Sequence, residues 1–411
     1  MLNISEQIQK LETKKSIGDI VEYVSDIFKH AIERKASDIH IEPTEDFVMI
    51  RLRIDGDFII LDKIHNDHTS AIVTRLKVLS KIKIDENKKP QDGKIAYIYE
   101  SEGKPDEQID IRLSTLPTKY GEKVVMRILR QDASLTNLGA LGLIDVNMKK
   151  VEEALKSKYG IMLVAGPTGS GKSTSLFGVL KHFNPLEYNI STLEDPIEYN
   201  IEYVNQSQVK PEIGYTFASG LRTLVRQDPD IIMVGEIRDT ETAVLAVEAA
   251  LTGHLVLSTI HTNSATATIQ RLINMGVEPF LLASAMKMVI SQRLGKRICP
   301  HCKKKYIPKE SEQKKIDHHL SPILDEESLK NMDFWIGEGC EACNHTGYKG
   351  RLGIHEVLIV EDYLEPMILE KKSANEMAEE AKKHGMVTIV QDALIKASLG
   401  ITTVEEALKL I

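Results

Sequence analysis

A chain of 411 residues with 42% hydrophobic and 27% charged side chains has the make-up of an ordinary soluble protein, long enough for two or three domains each with its own core. Its formal charge of −8 offers no global attraction to a polyanion, so nucleic acid is not an expected partner. No stretch approaches the roughly 18–20 apolar residues of a membrane span, and the opening MLNISEQIQKLETKK lacks the apolar core of a signal peptide; the expectation is a cytoplasmic protein that reaches a membrane only through partners.

Residues 1–15 read as a short polar arm. Ile17, Ile20, Val21, Val24, Ile27, Phe28 and Ile32 then recur at the three-four spacing of an amphipathic helix, which opens a small α+β unit over 16–131. ASDIHIEP (36–43) precedes FVMIRLRIDGDFIILDKI (47–64), where Val48, Ile50, Leu52 and Ile54 alternate with Met49, Arg51 and Arg53 up to Asp55-Gly56, a hairpin signal. A helix is predicted at about 68–83, then a loop NKKPQDGK (87–94), then strands in IAYIYE (95–100), QIDIRLSTLP (108–117) and EKVVMRIL (122–129). The glycine-broken segment DASLTNLGALGLIDVNMKK (132–150) reads as a linker into the next domain.

At 161–174, IMLVAGPTGSGKST, an apolar strand run breaks into a glycine-rich turn followed by a helical stretch. Gly166, Gly171, Lys172 and Ser173 meet the pattern G-x-x-x-x-G-K-[ST], so residues Gly166, Pro167, Thr168, Gly169, Ser170, Gly171, Lys172, Ser173 and Thr174 are the predicted nucleotide-binding loop. Glycines let the backbone curl its N–H groups toward phosphate oxygens at the positive end of the following helix. Lys172 would reach the β- and γ-phosphates, and the Ser173 hydroxyl would take a place on Mg²⁺.

Strand runs NISTL (189–193), DIIMVG (230–235) and HLVLST (254–259) alternate with helical stretches at 240–253 and 263–276, which predicts a parallel sheet with helices on both faces. Functional groups should then lie beyond the C-terminal strand ends. Glu236, in DIIMVGEIRD, stands where a second acidic motif would hold Mg²⁺ or orient water, although an aspartate is the more usual residue there. Glu194, in TLEDPIEY (192–199), is a second candidate acid, with an ordinary acidic loop as the alternative. His261 could contact a γ-phosphate as a neutral imidazole; His254, at the other end of the same strand, is less well placed. Arg112 and Arg127, on neighbouring strands of the first unit, are of the type an arginine finger needs, an effect of about 10³–10⁵ in rate, but strand arginines usually face water.

Residues 295–352 show little periodicity and hold all four cysteines, while 360–411 return to helical patterns. The pairs Cys299/Cys302 and Cys340/Cys343, 37 residues apart, match a closed tetrahedral thiolate site and hence structural zinc rather than redox thiols. Chelation is expected to unfold 295–352.

In combination, ASDIHIEP, RIDG, PQDG, GPTGSGKST, TLEDPIEY, GEIRDTETA, STIHTN and the cysteine pairs resemble the assembly ATPases of type II secretion and type IV pili, the GspE/PilB branch of the secretion ATPases, from about Ser16 onward. The resemblance implies a RecA-like P-loop domain (132–294) after a small PAS-like α+β domain, an inserted tetracysteine zinc module (295–355) and a helical C-terminal region (356–411). It implies ATP/ADP, Mg²⁺ and Zn²⁺ as ligands, an aspartate box at Glu194, a histidine box ending at His261, and Arg112 and Arg127 extended toward the nucleotide. A hexameric ring working on an inner-membrane platform protein, peripheral to the membrane, is implied as well. Members often carry a further N-terminal domain that docks on a membrane-anchored adaptor; with about fifteen residues ahead of the shared region, a shortened system or a separate adaptor chain is expected. The alternatives are a retraction or DNA-uptake ATPase of the same superfamily, which is expected to lack the cysteine pairs, and a non-hydrolysing nucleotide-dependent scaffold.

Overall fold

The computed structural model describes residues 17–100, 106–129 and 138–410; the expected arm at 1–15 and the first part of the linker lie outside them. The chain divides into two compact units, 1–131 and 132–411.

In the first unit, β1 (Asp38–Pro43), β2 (Phe47–Ile54), β3 (Asp57–His65), β4 (Gln91–Tyr99), β5 (Glu107–Thr118) and β6 (Gly121–Leu129) form an antiparallel sheet in the order β3-β2-β1-β6-β5-β4. Period-two alternation puts Ile39, Ile50, Leu52, Ile111 and Met126 on one face, where helices Ile17–Glu33 and Thr69–Ser80 cover them. Asp55 and Gly56 both have positive φ, as a two-residue hairpin turn requires. The predicted loop 87–94 is shorter than expected, because β4 begins at Gln91. The Gln91 side chain bonds backbone atoms of Lys83 and Glu86, fixing the preceding turn, and Gly93 passes so close to Ser80 and Ile82 that a Cβ would meet them at 2.8 Å.

The second unit is built on β7 (Gly160–Ala165), β8 (Ile190–Glu194), β9 (Asn205–Gln208), β10 (Ile231–Val234), β11 (Leu255–Ile260), β12 (Met286–Ile298) and β15 (Tyr348–Ile359), in the order β15-β12-β7-β11-β10-β8-β9. All neighbours run parallel except β15, which returns antiparallel to β12. The central strands β7 and β10 are apolar and buried along their whole length because both faces of the sheet are covered there, whereas the edge strand β9 is polar and partly exposed. Ile161, Leu163 and Ala165 face a core with helices Thr240–Leu251 and Ala265–Asn274, while Met162 and Val164 face one with helices Asp145–Ala154 and Lys172–Leu180.

Two expected boundaries fall inside strands. The step at 294/295 lies within β12 and that at 355/356 within β15, so the tetracysteine segment leaves from and returns to the central sheet instead of following it. The apolar stretch 280–290 turns from helix Pro279–Ala285 directly into β12, and a strand buried on both faces shows no alternation to mark it. Between these strands lie the antiparallel pair β13 (Lys303–Tyr306) and β14 (Phe334–Gly337) and, in the connection joining them, helix Glu310–Leu320, which the sequence pattern did not reveal. The C-terminal region is helical, but serves two cores: Ile368 and Met377 pack under the sheet, whereas Leu394 and Ala397 of helix Ile389–Ser398 meet Ile316, Leu320 and Phe334 of the cysteine segment.

That last helix is fastened by a buried ion pair. Lys396 Nζ lies 2.5 Å from Asp392 Oδ2 and donates to the Gly353 carbonyl at 2.7 Å, while the same carboxylate oxygen accepts the His355 N–H at 2.9 Å. Asp392→Ala would leave the ammonium buried and unpaired, an expected loss of about 3–5 kcal/mol by chemical denaturation. A loss under ~1 kcal/mol would contradict this account of the pair.

Candidate nucleotide site and metal centre

β7, β8, β10 and β11 point their C-terminal ends the same way, and each releases a predicted site residue there. The Gly166 N–H donates to the Ile260 carbonyl at 3.3 Å, so the glycine loop leaves β7 beside the end of β11, where His261 follows. Gly166, Gly169 and Gly171 have φ of +154°, +79° and +86°. Nothing lies within 4 Å of a Cβ built at Gly169, whereas one at Gly166 would sit 2.4 Å from Ser170 Oγ. The loop is therefore open on one side and tightly backed on the other, the shape of a phosphate cradle. Ser170 Oγ is buried with no hydrogen-bond partner, and Ser173 is exposed in the first turn of helix Lys172–Leu180, positions that fit an incoming phosphate and its metal.

Lys172 is nearly buried, and its Nζ donates to the Gly166 and Pro167 carbonyls, each at 3.0 Å. Burial pushes its pKa down, with Glu236 opposing. A desolvated ammonium whose hydrogen bonds go to neutral carbonyls favours a further anion beside it.

Glu236 stands one residue beyond Gly235, whose N–H donates to the Leu193 carbonyl at 2.8 Å; a Cβ on Gly235 would be 3.5 Å from the Glu194 Cα. The two acids thus emerge side by side. Their environments differ. Glu236 Oε2 lies 2.5 Å from Arg238 Nε and 3.7 Å from His261 Nε2, and its half-buried side chain faces Lys172 electrostatically. Glu194 is buried, accepts from Thr192 Oγ1 at 2.6 Å and Gln206 Nε2 at 2.9 Å, and burial raises its pKa. His261 is held below its ordinary pKa by burial and by Lys172, which keeps the imidazole neutral near pH 7. His254 lies at the far end of β11, bonded to the Ala249 carbonyl. Asp239 of the GEIRD stretch caps helix Thr240–Leu251 through the Thr242 N–H.

The four cysteines converge. Sγ separations are 3.8 Å for Cys299/Cys340, 3.9 Å for Cys302/Cys343 and 3.7 Å for Cys340/Cys343, with all four sulfurs within 4.8 Å of one another. Thiolates at 2.3 Å from one zinc ion would be about 3.8 Å apart along a tetrahedron edge, so the cluster fits that ion. Cys343 Sγ also accepts the backbone N–H groups of Cys340 and Gly347; burial opposes its ionisation, and these bonds hold its pKa below the ordinary thiol value.

The model of the family described as type II/IV secretion system protein matches residues 13–409. The type IV pilus assembly ATPase PilB of Thermus thermophilus is 45% identical over 94% of this chain and 42% of its own length. The type II secretion system ATPase E of Vibrio cholerae is 43% identical over 98% of this chain and 77% of its own length. The chain belongs to the type II/IV secretion system protein family. Among solved structures, the pilus retraction motor PilT with bound ADP is 28% identical with a TM-score of 0.60, over 94% of this chain and 96% of that one. The Legionella pneumophila ATPase DotB, at 21% identity and a TM-score of 0.66 over 94% of this chain and 95% of that one, shares the RecA-like fold.

The remaining predicted site residues of this family member lie in the first unit. Arg112 and Arg127 are directly opposed across β5 and β6, on the face turned away from the helices. Arg127 is exposed, and its Nε lies 3.3 Å from Asp38 Oδ1. Sequence reasoning missed three residues around the phosphate loop. Arg238 holds Glu236; Arg293 of β12 donates to the Asn263 carbonyl at 3.0 Å, bracing the loop after His261; and Gln292 beside it is buried against the glycine loop. In the sequence Arg238 stands in GEIRD, and the trace of the other two is the polar run SQR at 291–293, interrupting an apolar stretch. No helix among the described residues is long and apolar enough to cross a membrane.

Proposed function

We propose that this protein is a Mg²⁺-dependent ATP hydrolase acting as the motor of a type II secretion or type IV pilus assembly system. The observation that carries the reading is the convergence of Lys172, Glu236 and His261 at the C-terminal ends of parallel strands around an open glycine loop. Phosphate oxygens replace the Gly166 and Pro167 carbonyls as acceptors for Lys172, and the loop N–H groups hold the chain of phosphates. Mg²⁺, held by the Ser173 hydroxyl and the nucleotide, would neutralise charge on the phosphates. Glu236, aligned by Arg238, orients the attacking water, with Glu194 supporting it. Neutral His261 donates its ring N–H to a γ-phosphate oxygen and registers its loss.

Arg112 and Arg127 act from the first unit as stabilisers of developing charge, and zinc closes the tetracysteine centre. The protein works as a homo-oligomer, a hexameric ring, in the cytoplasm at the inner membrane, through a platform protein and with a membrane-anchored adaptor. The names of the Thermus and Vibrio relatives support assembly and secretion over retraction. Arg112→Ala and Arg127→Ala are each expected to keep ATP affinity within about threefold and to lower turnover by about 10³ or more. Phosphate release at saturating ATP measures this, and unchanged turnover in both variants would remove the arginines from the mechanism.

A further inference from the structure

We propose that Gln292 is a positioning residue of the phosphate loop, joined to it through Ser175; this rests on the nucleotide-binding reading of that loop. Gln292 is 3% exposed on β12, the strand that runs parallel beside β7. Its Oε1 accepts the Ser175 hydroxyl at 2.5 Å, and Ser175, 1% exposed, lies in the first turn of the helix that begins at Lys172. Its Nε2 faces Gly171, where a Cβ would come within 2.8 Å, and its own carbonyl faces Gly166, where a Cβ would come within 2.6 Å. One residue therefore backs both the first and the last glycine of the loop and also holds the helix that follows.

The bond matters because it ties the start of the helix to the neighbouring strand. Gly166, Gly169 and Gly171 supply no side chains, and Lys172 must exchange its carbonyl partners for phosphate. A helix start that shifts by a fraction of an ångström misaligns every N–H aimed at the phosphates. Gln292 is itself held from behind. It pairs with His355 across β12 and β15, and the His355 N–H is anchored by the buried Asp392 carboxylate. The side chain is buried, so its contribution is to geometry and appears in binding more than in the chemical step.

Gln292→Met keeps the volume and removes the acceptor; Ser175→Ala removes the donor with little loss of volume. Each is expected to weaken binding of a fluorescent ATP analogue about five- to tenfold, with KM rising in step and kcat within about twofold of wild type. The double variant should be no weaker than the weaker-binding single variant, because one shared bond has been removed from both sides. Wild-type affinity in Ser175→Ala, or effects that multiply in the double variant, would overturn the proposal even if Gln292→Met does not fold. Loss of binding in Lys172→Ala but not in the Gln292 and Ser175 variants would overturn this inference alone. Absence of nucleotide binding by wild type would remove both it and the reading on which it rests.

Discussion

Glu236→Gln is expected to bind ATP as wild type does and to turn it over slower by on the order of 10²–10⁴. The amide has the shape of the carboxylate without its charge, so the loop after β10 keeps its course while water loses its acceptor. The structure adds a reason for a large effect: Arg238 Nε lies 2.5 Å from Glu236 Oε2, so the carboxylate is aimed by a charged partner. Glu194→Gln should cost less, because that side chain is buried and satisfied by Thr192 and Gln206, and removing its charge leaves both bonds an acceptor. Single-turnover phosphate release beside equilibrium nucleotide binding separates the two acids. Equal turnover in wild type and Glu236→Gln would remove Glu236 from its role.

Removal of the metal is expected to have the largest structural effect, since a structural zinc site contributes on the order of 10 kcal/mol. The structure narrows where that loss falls. The knuckles are held by backbone bonds between the two cysteine segments, such as Cys299 N–H to the Gly347 carbonyl at 3.0 Å and Glu338 N–H to the Cys302 carbonyl at 3.1 Å, around a sulfur cluster that is not part of the apolar core shared with the C-terminal helix. Helix Glu310–Leu320, by contrast, buries Ile316 and Leu320 against helix Ile389–Ser398. Chelation, or Cys343→Ser, should therefore release hydrogen-exchange protection at 299–306 and 334–347 while the helix keeps much of its own. Unfolding of the whole of 295–352, as the sequence suggests, would mean that the shared core contributes little. Pure protein without stoichiometric zinc, but with these segments protected, would contradict the metal centre.

The contrast between these two sites explains what was legible in the sequence. The phosphate loop, its flanking strand and helix, and the cysteine pairs are local patterns whose chemistry demands fixed spacing: the glycine turn does follow β7 and lead into a helix, and the four cysteine sulfurs do lie within 4.8 Å of one another. The alternation in β2, β5 and β6 was equally readable, because one face of that sheet is apolar and the other polar. β12 and β15 were not, for both are buried on two faces and one carries the polar triplet Ser291, Gln292 and Arg293 at its centre. Gln292 gains its place only from parallel pairing with β7, more than 120 residues earlier in the chain, a distance over which spacing carries no information. The difference between Glu194 and Glu236 was hidden for a similar reason: burial and the partners Gln206 and Arg238 are set by tertiary contacts.

The central claim is that the glycine loop binds and helps cleave ATP within an assembly of subunits. Its most direct test is steady-state ATP hydrolysis against protein concentration in zinc-replete buffer, with Lys172→Ala as the control. Activity per chain is expected to rise with concentration and to vanish in the variant. Hydrolysis that is unaffected by Lys172→Ala, or a folded wild type that hydrolyses nothing at any concentration, would contradict it.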